Sequence, residues 1–208
     1  MSILEYNGSG MIAMTGKNCV AIASDMRLGI QQQTVATNVH KVFKMHDKCY
    51  IGMAGLQTDM LSLEQKFKFR LKMYELREDR KIKPSTFANL VSSVLYEKRF
   101  GPWFIEPLVA GLEDTEGKKD VPFICAMDLI GAPVYTKDFL VSGTCSEQLY
   151  GTCEAMYKAD MEPDDLFETI SQCLLASVDR DCLAGWGAEV IIITPDGVTT
   201  RNLKSRQD

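Results

Sequence analysis

Histidine is scarce in this chain of 208 residues: His40 and His46 are the only two, and no Cys-x-x-Cys pair accompanies them. A structural zinc site needs four clustered nitrogen or sulfur ligands, so no metal is expected. The seven cysteines (19, 49, 125, 145, 153, 173 and 182) are scattered and odd in number. That pattern fits free thiols in a reducing compartment, not a disulfide framework. No apolar run approaches the roughly 18 residues of a membrane span, and no basic flank opens the chain. Net charge is only −5, with acids and bases interspersed, which excludes the basic footprint of a nucleic-acid binder. These absences imply a chain of the cytoplasm and nucleus, with no cofactor, no nucleic-acid partner and no membrane partner.

What is present suits one domain over residues 1–208, a length at which roughly 70% of the unfolded chain's surface is buried. Met11–Met14 and Val20–Ala23 are apolar runs joined by a turn-like Thr15-Gly-Lys-Asn18 link, the pattern of a β-hairpin with buried faces. Arg27–Asn38 is polar and rich in glutamine. Lys41–Met45 and Cys49–Ala54 read as strands flanking a turn at His46. Met60, Leu63, Phe67, Leu71 and Tyr74 then recur at helical spacing. A second helix opens at Pro84 on an apolar face of Phe87, Leu90, Val91, Val94 and Leu95, and stops near Arg99–Pro102.

Strands are expected at Leu108–Leu112, Phe123–Met127, Val134–Tyr135 and Phe139–Val141, forming a second antiparallel set, with a loop over Glu113–Asp120. Thr144-x-x-Glu147 has the form of a capping box for a third helix. Pro163, Asp164 and Asp165 mark the start of a fourth. Ala188–Thr194 and Val198–Asn202 are final strands around Pro195-Asp-Gly197. Strands, two helices, strands, two helices and strands make an α+β chain with segregated helices.

The stretch Gly8–Asp25, followed by Lys41 and Gly55, resembles the β-type subunits of the proteasome, whose mature N-terminus is a threonine on the first strand of such a hairpin. Under one offset Ser9 stands at that threonine, Asp25 at the hairpin aspartate, Lys41 at the lysine and Gly55 at the oxyanion-hole glycine. Ser146 falls on the family's structural serine and Asp181 on its second aspartate, while Ala184 replaces a second serine. Segments at Met1–Ile3, Leu95–Pro102, Val109–Leu112, Met127–Gly131, Val141–Cys145 and Leu166–Ile170 resemble non-catalytic members of that family in particular.

The resemblance implies a four-layer αββα sandwich of the N-terminal nucleophile hydrolase type. It also implies a structural role in a 20S core particle that degrades proteins, often after ubiquitin tagging. The partners would be β subunits of the same and the facing ring and α-ring subunits, with protein substrates passing through. In catalytic members the threonine hydroxyl attacks a peptide carbonyl while its freed α-amine moves the proton.

Here serine replaces threonine, Ala184 replaces serine, and only Met1–Gly8 precede Ser9, so the six positions are expected to be vestigial. The alternative is an autoprocessed Ser9 hydrolase, for which Gly8 supplies the residue before the scissile bond. Each retained residue also has a plain structural reading. Gly8–Gly10 would be a flexible entry to the first strand, Asp25 and Lys41 a buried ion pair, and Gly55 a strand-to-helix corner. Ser146 would cap a helix, and Asp181 would pair with Arg180 at the surface.

Overall fold

The computed structural model describes residues 2–115 and 117–206; Met1 of the resembling N-terminal segment and Glu116 of the expected loop lie outside them. The hairpin opens the fold, with β1 (Gly10–Gly16) and β2 (Cys19–Asp25) joined by Lys17 and by Asn18 at φ 52°. Every residue of both strands is buried. The reason is the two-residue period of a strand, which sends neighbours to opposite faces. Ile12, Met14, Ala21 and Ala23 face a helical layer, and Met11, Ala13, Val20 and Ile22 face another sheet.

The polar stretch after the hairpin folds into a second, two-stranded one, β3 (Leu28–Ile30) and β4 (Gln33–Ala36). Next come β5 (Val42–His46), β6 (Cys49–Gly55), α1 (Gln57–Glu78) and α2 (Pro84–Tyr96). Pro84 is the first residue of α2, where a missing N–H costs nothing. The expected loop at Glu113–Asp120 is instead the end of a long ribbon: β7 (Ile105–Thr115) pairs with β8 (Lys118–Met127) down to Thr115 and Lys118. Polar residues there read as loop because a ribbon projecting past the core needs no apolar face.

Then follow β9 (Pro133–Thr136), β10 (Phe139–Gly143), α3 (Ser146–Met156), α4 (Pro163–Val178), β11 (Ala188–Thr194) and β12 (Gly197–Leu203). The later strands do not make a set of their own. One sheet runs β10-β1-β2-β11-β12 and the other β5-β6-β7-β8-β9. β10 therefore crosses back to β1, and β7 extends β6, each pairing a strand edge whose N–H and C=O groups would otherwise stay open. The capping box at Thr144 does not form: α3 starts at Ser146, and its cap residue, Cys145, makes no side-chain hydrogen bond.

The two sheets pack face to face through Met11, Val20, Ile22, Tyr50, Leu108, Ile124 and Ile191. Leu166, Ile170 and Leu174 of α4, with Leu149 of α3, cover the outer face of the first sheet. Leu63 and Phe67 of α1, with Phe87 and Val91 of α2, cover the second. Phe67 and Phe87 meet edge to face at 5.8 Å. The result is a four-layer αββα sandwich.

Ile22 is fully buried between the sheets. Ile22→Ala should lower stability by about 2–5 kcal/mol, seen as an earlier denaturation midpoint with unchanged far-UV circular dichroism. A loss below about 1 kcal/mol would contradict the packed inter-sheet layer.

Candidate functional site

Pairing of Met11 with Ser24 sets Asp25, at the end of β2, beside the first residue of β1. Lys41 stands just before β5 in the other sheet and reaches back between the layers. Its Nζ lies 2.6 Å from Asp25 Oδ1, with side-chain exposures of 1% and 0%. Oδ1 also accepts from the Gly10 amide at 2.9 Å, and Oδ2 from the amides of Arg27 at 3.2 Å and Gly185 at 3.1 Å. Four donors thus hold one carboxylate, which is what a fully buried charge requires. Lys41 Nζ also donates to the Gly8 carbonyl at 3.2 Å.

Ser9 is fully buried. Its nitrogen donates to Thr144 Oγ1 at 3.3 Å, and its carbonyl accepts from Thr144 N at 2.7 Å and lies 3.0 Å from Thr144 Oγ1. Its own Oγ has no hydrogen-bond partner among the described residues. With Gly8 attached, that nitrogen is a peptide amide and has no basic lone pair to take the hydroxyl proton.

Gly8–Gly10 is not a flexible entry. Gly8 has φ +72°, and a Cβ there would sit 2.1 Å from the Leu183 carbonyl oxygen, so both its conformation and its packing require glycine. Cys145 is a neighbour of Gly10, and burial, followed by the Asp25 and Asp181 carboxylates, pushes its thiol pKa up. It stays a neutral, inert thiol.

Gly55 is the last residue of β6, at φ +117°, and a Cβ would meet the Phe104 carbonyl oxygen at 2.4 Å. The corner into α1 follows immediately. Gly55, Thr144, Ser146 and Asp181 line a cleft of about 340 Å³, together with Ser2, Leu4 and Glu5. Ser9, Asp25 and Lys41 are buried outside that lining, so the six positions divide into a buried trio and a cleft trio.

Ser146 does not cap α3, being its first helical residue. Asp181 does not pair with Arg180 at the surface; it turns inward and accepts from Thr144 Oγ1 at 2.5 Å and from Leu183 N at 3.2 Å. Ala184 is buried in the layer under α4 and offers no hydroxyl. Among the described residues no group of three His, Cys, Asp or Glu side chains could hold a metal ion.

Sequence reasoning missed Thr144, whose spacing to Glu147 imitates a helix cap while its hydroxyl ties Ser9 to Asp181. It also missed Arg27, which is 2% exposed and bonds Thr34 Oγ1, the Leu183 carbonyl and the Gln31 carbonyl at 2.7–3.1 Å. The only sequence signal for Arg27 was its place two residues beyond Asp25.

Asp25→Ala should cost about 3–5 kcal/mol, because it strands an ammonium and three amides at once. Lys41→Met should cost less, since three N–H donors still hold Asp25. The double variant should fall short of the sum by about 0.5–3 kcal/mol in denaturant unfolding. Additive losses would contradict the pair.

A family model described as "Proteasome subunit" matches residues 5–193. The chain is 61% identical to Proteasome subunit beta type-3-A of Arabidopsis thaliana, 60% to Proteasome subunit beta type-3 of Picea mariana and 53% to that of Drosophila melanogaster. Each alignment spans 208 residues and the whole of both chains. The fold, the family model and these full-length identities agree: the chain belongs to the proteasome subunit family.

Proposed function

We propose that the chain is a structural, non-catalytic subunit of the 20S proteasome core particle, at the third β position, as the names of its relatives suggest. Its partners are then β subunits of the same and the facing ring and α-ring subunits. The enzyme it serves is a threonine protease complex of the cytoplasm and nucleus. Seven free cysteines, six of them buried, suit that reducing setting. Phe100, Leu76 and Phe69 are 97%, 81% and 64% exposed, the kind of apolar surface that a neighbouring subunit would cover.

The observation that carries the non-catalytic reading is the Ser9 hydroxyl, which is buried without a hydrogen-bond partner among the described residues while Lys41 Nζ is engaged by Asp25 Oδ1 and the Gly8 carbonyl. A free α-amine, with a pKa of about 8, is partly neutral near pH 7.5 and takes a proton from the hydroxyl. An amide does not. Ser9, Asp25, Lys41, Gly55, Ser146 and Asp181 then serve as framework.

One observation favours the alternative, an autoprocessed Ser9 hydrolase: Lys41 Nζ donates to the Gly8 carbonyl and polarises the bond that processing would cut. Intact mass of the chain from the assembled particle decides between them. It should include the residues before Ser9, and an inhibitor that bonds both hydroxyl and amine of a terminal residue should leave this chain unlabelled. Chains that begin at Ser9, with adducts lost in Ser9→Ala, would establish the hydrolase instead.

A further inference from the structure

Asn7 is 7% exposed, and both ends of its side-chain amide are used. Nδ2 donates to the Gly29 carbonyl at 2.8 Å, and Oδ1 accepts from the Gln57 amide at 2.9 Å. One partner can only accept and the other can only donate, so the orientation of the amide is determined. Gln57 is the first residue of α1, and Leu56 before it offers no side-chain cap. The N–H at a helix start has no partner within the helix. Asn7 supplies the acceptor from a segment 50 residues away in sequence.

The backbone around Asn7 is tied to the same small hairpin. Gly29 N donates to the Asn7 carbonyl at 3.2 Å and Gln31 N to the Tyr6 carbonyl at 2.8 Å. Downstream, Gly8 is held by its contact with Leu183 and by Lys41. Upstream, Ser2 and Glu5 close a 3-10 turn over Ile3–Glu5: Ser2 N donates to Glu5 Oε2 at 3.0 Å, and Leu4 N to Ser2 Oγ at 3.3 Å. That turn packs on β6, and Ser2, Leu4 and Glu5 form one wall of the cleft beside Gly55.

We propose that Asn7 is a clamp that fixes residues 2–8 as a strap across this cleft, coupling the strap to the β3–β4 hairpin and to the start of α1. The cleft is thereby narrowed by the chain's own residues, and the Gly8 carbonyl is held on Lys41. Asn7 is a positioning residue. The inference rests on the reading that the segment before Ser9 is retained. An untethered leader would have no reason to bury a polar side chain with both donor and acceptor satisfied.

Hydrogen exchange measured by mass spectrometry on assembled particles tests the clamp. Asn7→Ala leaves the buried Gly29 carbonyl and the half-buried Gln57 amide without this partner, so exchange should rise about tenfold in segments 2–9 and 28–34 and at the start of α1. Asn7→Asp keeps the acceptor for Gln57 but lacks the donor for Gly29. It should release segments 2–9 and 28–34 while the start of α1 keeps its protection.

Exchange within about twofold of wild type in Asn7→Ala would overturn the clamp. Equal deprotection of the α1 start in Asn7→Asp would overturn it as well. If Asn7→Ala does not assemble, the split response of Asn7→Asp decides alone. The intact mass of the wild-type chain in the same sample separates the two claims: a start at Ser9 would defeat the retained-leader reading and leave no strap to clamp.

Discussion

A single buried carboxylate organises the centre of this protein. Asp25 receives the Lys41 ammonium and three backbone amides, and those donors come from four places: β1, the segment after β2, the loop at Gly185 and the approach to β5. Removing a buried charge from water costs several kcal/mol, so it persists only when every partner is in place. The requirement is mutual. Asp25 ties the start of β1 to Lys41 at the approach to β5, while pairing of Gly10 with Gly143 sets Ser9 against Thr144.

On the proposed non-catalytic reading, this constraint explains how catalytic-looking residues persist. Asp25 and Lys41 are required by each other, whatever Ser9 does. Gly55 is required by a positive φ and by the Phe104 carbonyl, which leaves no room for a Cβ. Thr144 satisfies the backbone of Ser9, its N–H donating to the Ser9 carbonyl and its hydroxyl accepting from Ser9 N, and Asp181 accepts the proton of that hydroxyl. Ala184 has no such task and is an apolar side chain buried in the core.

Much of the fold was readable because local and global demands agree. The first hairpin, the prolines that open α2 and α4, and the apolar stripe of α1 each show in the residues that form them. Three features were not readable, for a common reason. The return of β10 to β1, the diversion of Thr144 from helix capping to Ser9, and the use of Asn7 as a distant cap for α1 are all long-range pairings. A window of sequence shows what a side chain can do locally but not which partner will compete for it. The αββα layering was available only through the family resemblance, since periodicity alone gives segregated helices and strands.

The central claim is that the Gly8–Ser9 peptide is intact and built into the framework, with Lys41 on the Gly8 carbonyl. A high-resolution density map of the assembled particle tests it directly. The account predicts continuous density through Gly8 and Ser9, with Lys41 Nζ at hydrogen-bond distance from both the Gly8 carbonyl and Asp25. A break before Ser9, leaving a free amine beside Lys41, would contradict it.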